Sequence, residues 1–77
     1  MTIDFVKKEL DKLLGYSRSL GFLAENCYHM AYGAVMMASI IAMELDDFKL
    51  SMAIDHLWDD TYRELFLQAY REELARQ

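Results

Sequence analysis

Residues 20–45 read LGFLAENCYHMAYGAVMMASIIAMEL, and on a helix this stretch is apolar around almost the whole circumference. Small side chains recur along one face, whereas Met, Ile and Tyr side chains crowd the opposite face. A helix that is apolar on both faces has to be covered on both. Since the rest of this short chain supplies only two flanking segments, we expect a homodimer with this helix at its centre.

The predicted dimer interface draws on both faces of this helix. Ala31, Ala34 and Ala38 belong to the small face, which lets two helices approach closely. Met36 and Ile40 belong to the bulky face. Met residues in such a pattern are also typical of adaptable binding grooves, although filling a core is their commoner use, and both interpretations stay open.

Helical periodicity continues through the remaining sequence, without strand-like alternation and without an Asn-Gly or Asp-Gly turn. Thr2 predicts the N-cap of a first helix that Gly15 would end, and Asp46 or Asp47 predicts the N-cap of a last helix. We therefore predict an all-α fold of one domain, an antiparallel helical hairpin or a three-helix bundle, assembled as a homodimeric helical bundle. The predicted helices cover about residues 3–14, 20–45 and 48–75.

Residues 15–21 form the most loop-like stretch of the chain, with two Gly and two Ser residues. A seven-residue apolar repeat nevertheless runs through them without a change of phase, and a loop need not preserve that phase. A single bent helix over residues 3–45 is therefore the alternative to two separate helices.

The composition argues against several classes of protein. With 13 acidic and 8 basic residues the formal charge is −5, which disfavours binding to a nucleic-acid backbone, and 55% hydrophobic residues disfavour a disordered chain. Residues 26–43 carry no formally charged side chain, but the stretch is barely long enough for a membrane span and lacks a Lys/Arg cluster. Membrane insertion is therefore unfavoured. Cys27 is the single cysteine and no signal peptide is recognisable, so we expect a cytoplasmic protein.

The net charge is concentrated in residues 44–60, where six acidic residues face only Lys49. The positive end of the last helix accounts for the acids nearest to it, but not for Asp55, Asp59 and Asp60. Like charges four residues apart on a helix repel each other. We interpret these three residues as a docking surface for a protein with a basic surface, and a simple solvated face as the alternative.

An aromatic residue recurs every four positions in the last helix, at Trp58, Tyr62, Phe66 and Tyr70. Each step of four drifts about 40° around a regular α-helix, so the later members should leave the buried stripe. Phe66 and Tyr70 are accordingly predicted to bind a partner, which is either a second copy or a different protein.

Metal binding is the competing hypothesis. Glu25 and His29 lie four residues apart, as do His56 and Asp60, and each pair could bind one ion. The Glu-x-x-His spacing of four-helix carboxylate proteins is absent, so we assign no metal ligand and no cofactor. Without a phosphate-binding loop, a catalytic triad or paired cysteines, we also assign no catalytic residue and predict that the protein is not an enzyme. The sequence favours a small acidic protein-binding module, such as a regulator, inhibitor or assembly factor, that acts as a homodimer.

Overall fold

The computed structural model describes residues 1–18 and 23–76, and within these ranges every regular element is helical. The prediction of an all-α fold is therefore confirmed. The elements are α1 (Ile3–Ser17), α2 (Ala24–Glu44), α3 (Phe48–Leu57), a π-helical turn (Trp58–Tyr62) and α4 (Arg63–Ala75). Because α3, the π-helical turn and α4 follow one another without a break, the chain forms a three-helix bundle.

Helix α1 begins as predicted and ends later than predicted. Thr2 Oγ1 accepts a hydrogen bond from the Phe5 N–H at 3.2 Å, which is the expected N-cap. The helix then passes through Gly15 and ends at Ser17, so the predicted stop at Gly15 was wrong. Ser17 is buried, and its hydroxyl donates to the Leu14 carbonyl at 2.6 Å, which holds the last turn of α1 in the helical conformation.

A single bent helix over residues 3–45 is excluded. Arg18 (φ −105°, ψ 0°) and Leu23 (φ −83°, ψ 126°) both depart from helical geometry, and α1 packs against α2. The start of α2 is Ala24; the residues between 18 and 23, where its beginning was predicted, lie outside the described ranges.

The turn between α2 and α3 uses two aspartates in different ways. Asp46 adopts a positive φ of 59°, while the Asp47 N–H donates to the Ala42 carbonyl at 2.8 Å and the Asp46 N–H to the Met43 carbonyl at 3.0 Å. This is the Schellman arrangement that closes many helix C-termini. The Asp47 carboxylate then accepts from the Leu50 N–H at 3.1 Å, so Asp47 is the N-cap of α3. Both residues therefore have structural roles.

The core lies where the three helices meet and is built around Phe66, Leu10 and Ile54, which are almost completely buried. Ala31 also belongs to this core, with no exposed surface. Its predicted place in a dimer interface is therefore wrong, because α1 and the last helix already cover it. The buried positions of α2 recur every three or four residues, as an amphipathic helix requires, and they are Ala24, Cys27, Ala31, Val35, Ser39 and Ala42.

The π-helical turn changes the phase of the last helix. The Arg63 N–H donates to the Trp58 carbonyl, five residues earlier, so this turn holds one residue more than an α-helical turn. The wider turn compensates for the drift of a four-residue repeat, and Trp58, Tyr62 and Phe66 all remain buried. The prediction that Phe66 leaves the core was therefore wrong, since it assumed a regular α-helix.

Deleting Asp60, an exposed residue of the π-helical turn, should be tolerated. The deletion places Trp58 and Phe66 seven residues apart, which on a regular α-helix is only about 20° short of two full turns. Both side chains would then still face the core. Urea unfolding, followed by circular dichroism and Trp58 fluorescence, measures the effect. We expect the free energy of unfolding to fall by less than about 1.5 kcal/mol.

Deletion of Gln68 is the matched control, because it removes an exposed residue from regular α-helix. It rotates the following residues by about 100° and brings Tyr70 to the place of the buried Ala69. We expect this deletion to lower the free energy of unfolding by more than about 3 kcal/mol. Equal losses of unfolding free energy in the two deletion variants would show that the π-helical turn does not set the rotation of α4 relative to α3.

Candidate functional site

The described residues leave fifteen large apolar side chains exposed to solvent, and seven of them lie on α2. The accessible surface is 5397 Å², whereas a monomeric protein of this mass exposes about 4,900 Å². The radius of gyration is 13.0 Å, against about 11.5 Å for a compact domain of this length. The large apolar side chains of α2 that are more than two-fifths exposed are Met30, Tyr32, Met36, Met37, Ile40, Ile41 and Met43.

The first of two surfaces is the α1–α2 face. It is centred on a groove of about 310 Å³ between α1 and α2, whose lining includes Phe5, Ala34 and Ala38. Met37 and Ile41 each lie three residues after one of these alanines and extend the apolar surface along α2. The α1–α2 face is therefore a concave apolar strip.

The α1–α2 face carries almost no net charge. Of the described residues that line the groove, Glu9 alone has a charged side chain, and its carboxylate lies 3.5 Å from the Lys12 ammonium. Both side chains are about half exposed, so this pair adds little stability. The Lys12 ammonium does, however, cancel the negative charge of the Glu9 carboxylate at the edge of the groove.

The second surface is the α2–α3 face, on the other side of α2. The Ser39 and Ser51 hydroxyls join the two helices through a buried hydrogen bond of 2.7 Å. Met36 and Met43 lie three residues before and four residues after Ser39, so they flank this contact on the exposed side. Tyr32 continues the row one turn further, and its ring lies 6.0 Å from that of Trp58.

The α3 side of the same surface is part apolar and part acidic. Phe48 and Asp55 flank Ser51 with the same spacing, and Asp59 follows Asp55 by four residues. All three are exposed. The α2–α3 face therefore combines an apolar row on α2 with carboxylates on α3.

The structure separates the predicted partner-binding residues. Asp55 and Asp59 lie on the α2–α3 face, whereas Asp60 pairs with His56, its Oδ2 lying 3.9 Å from Nδ1. Tyr70 is half-buried beside Leu67 in a groove of about 240 Å³. Phe66 is in the core and is unavailable to a partner, which corrects its predicted role.

The predicted dimer-interface residues also divide between surfaces. Ala34 and Ala38 line the groove of the α1–α2 face. Met36 lies on the α2–α3 face and Ile40 on the outer surface of α2, both about half exposed. With Ala31 in the core, the five residues do not form one continuous patch, because they encircle α2.

Neither candidate metal pair is extended by a third ligand within the described ranges. His29 Nε2 lies 3.7 Å from Glu25 Oε1 at the edge of the groove beside Tyr70, and the His56–Asp60 pair is more exposed still. Each pair offers two ligands, whereas zinc sites in proteins use three or four.

Two ionisable side chains of the core have shifted pKa values. Burial, followed by the charge of Glu73, raises the pKa of the Cys27 thiol and so disfavours the reactive thiolate. Burial, then the hydrogen bond and negative charge of Asp11, raise the pKa of Tyr62 to about 12. Both shifts keep the neutral form, which is typical of structural rather than nucleophilic groups.

Sequence reasoning missed the polar contacts that fix how the helices pack. The Glu73 carboxylate accepts a hydrogen bond from the Ala24 N–H and so satisfies the start of α2. These residues are 49 positions apart, and no local pattern could have paired them. Ser39 and Ser51 did carry a signal, since both are polar residues equally far from Leu45 in the turn.

Comparisons of the chain with protein-family models, curated protein sequences and solved structures found no match. Among the described helices, none is both long enough and apolar enough to span a bilayer.

Cys27 should react slowly with a thiol-specific disulfide reagent in the folded protein. Its burial and raised pKa both lower the concentration of accessible thiolate. We expect the rate to increase on the order of 100-fold when the protein is unfolded in urea. Equal rates in the folded and unfolded chains would make Cys27 a candidate nucleophile.

Stability should fall at alkaline pH because of Tyr62. Its pKa is 10.0 in an unperturbed chain and about 12 in the folded protein, so above pH 10 the unfolded state loses this proton first. Tyr62→Phe should cost about 1 kcal/mol at neutral pH through the lost hydrogen bond to Asp11. Phenylalanine cannot ionise, so the variant does not lose stability in this way. The difference in unfolding free energy between the variant and the wild type should therefore narrow above pH 10. Urea unfolding across this range tests the effect, and a constant difference would contradict it.

Proposed function

We propose that this protein is a protein-binding module rather than an enzyme, and that it works as a homodimer held together through the α1–α2 face. The observation that carries the proposal is the apolar groove lined by Phe5, Ala34 and Ala38, with Met37 and Ile41 beside it. Contiguous apolar surfaces of this kind are uncommon on monomeric proteins and are typical of interaction sites.

The α1–α2 face has the properties that pairing with an identical surface requires. In a two-fold dimer each patch meets its own copy, so any net charge on the patch would meet like charge. Here the Glu9–Lys12 pair leaves the edge neutral. The small side chains of Ala34 and Ala38 leave a depression into which a protruding side chain of the second copy, such as Met37, fits.

The second part of the proposal is a partner with a basic surface, attracted by the acidic segment 44–60. A dimer would present two copies of this segment. A small acidic dimer of this kind suits a regulator, an inhibitor or an assembly factor, and the reduced, buried Cys27 is compatible with the cytoplasm as its location.

Met37→Glu should convert the dimer to a monomer. The substitution places a charge on the α1–α2 face, where pairing would bury it without a partner. Sedimentation equilibrium should give twice the chain mass of 9.0 kDa for the wild type and 9.0 kDa for the variant. Circular dichroism should show unchanged helicity, because Met37 is exposed.

Met36→Glu is the matched control. It adds the same charge at the neighbouring position, but on the α2–α3 face, so the dimer should persist. A wild type that sediments as a monomer at every accessible concentration would contradict the dimer, and dissociation of both variants would contradict its assignment to the α1–α2 face.

A further inference from the structure

We infer that the α2–α3 face is a docking surface for a basic amphipathic helix of another protein. This inference rests on the proposed function and assigns to the second exposed face of α2 an occupant of defined chemistry. It is carried by the exposed apolar row of the face, by its charge and by the contrast with the α1–α2 face.

The apolar row on α2 matches one face of a docked helix. Tyr32 and Met43 lie eleven residues apart on α2, with Met36 between them, and this separation corresponds to about 16 Å, or three helical turns. Phe48 closes the row at the α3 end, beside the turn. A helix docked on such a row binds through apolar side chains spaced three or four residues apart, and Met side chains adapt to different shapes.

One end of the row is held in place before any partner binds. The Tyr32 ring packs against Trp58, which is buried, with centroids 6.0 Å apart. Tyr32 therefore has little rotamer freedom to lose on binding, whereas Met36 and Met43 remain adjustable. A rigid aromatic anchor beside flexible apolar side chains is typical of grooves that accept helices.

The charge of the rim selects a basic partner. Asp55 and Asp59 lie four residues apart on α3 and the π-helical turn, and no ion pair within the described ranges engages either carboxylate. Their mutual repulsion destabilises the free protein slightly. A Lys or Arg side chain of the partner, placed between the two carboxylates, would replace that repulsion with two attractions. Along the chain, the acidic rim ends at Arg63.

A second copy of the chain is disfavoured on this face. Two-fold pairing would place the Asp55 and Asp59 carboxylates of both copies in one interface, and none of the residues that define this face is basic and able to pair with them. The basic residues of α1 offer no substitute, because Lys7 and Lys8 are interleaved with Asp4 and Asp11.

The test uses a labelled synthetic helix of leucine and lysine with its leucines on one face. Two control peptides have the same leucine pattern with glutamate in place of lysine, or the same composition in scrambled order. Fluorescence anisotropy at physiological salt, which screens non-specific attraction, should show binding of the amphipathic basic peptide alone. Binding of the scrambled peptide with equal affinity would overturn the inference.

Two double variants with the same change in net charge locate the site. Asp55→Lys with Asp59→Lys should weaken peptide binding by at least about ten-fold, because the rim itself becomes basic. Asp60→Lys with Glu72→Lys alters exposed residues outside the α2–α3 face and should keep the affinity within about three-fold. Equal weakening by both would mean that the peptide senses only overall charge, and would overturn the inference.

Met36→Glu tests the apolar row and separates this inference from the homodimer. It should abolish peptide binding while sedimentation still reports a dimer. Undiminished binding, or loss of the dimer because a second copy occupies the face, would overturn the inference. Since Met37→Glu reports the dimer independently, a wild type that dimerises but does not bind the basic peptide refutes the docking surface alone.

Discussion

The structure depends on how much of α2 two neighbouring helices can cover. An α-helix packed against two others buries one stripe, and here that stripe runs along the positions of Ala24, Ala31, Val35 and Ala42. The apolar side chains of α2 extend well beyond this stripe on both sides, and the other helices of the described ranges leave them exposed. The two exposed faces are therefore a direct consequence of placing so apolar a helix in so small a bundle.

The two faces differ in charge because different helices border them. On one side α1 contributes the neutral Glu9–Lys12 pair, and on the other α3 contributes Asp55 and Asp59. The same apolar helix thus borders one face whose edge holds a neutral ion pair and another whose edge is acidic, and this difference is the basis of the two proposals for their occupants.

The parts of the fold that the sequence predicted depend on local interactions. The caps at Thr2 and Asp47 and the helical periodicity all arise between residues within one or two turns of each other, so a local pattern contains them. The exposure of Asp55 and Asp59 followed from their charge in the same way. The predictions for Gly15, Ala31 and Phe66 were wrong for a different reason. Each depended either on which distant residues pack nearby or on the irregular π-helical turn.

The amino-acid sequence by itself determined that the chain is helical, where most of its helices begin, and that α2 has more apolar surface than its own chain can cover. Only the tertiary structure decided which stripe of α2 is buried, and therefore that Ala34 and Met36 belong to different surfaces. It also decided, through the π-helical turn, that Phe66 remains in the core. The physical reason is that packing and helix phase depend on contacts between distant residues, such as Glu73 with Ala24 and Ser39 with Ser51, and helical periodicity does not encode these contacts.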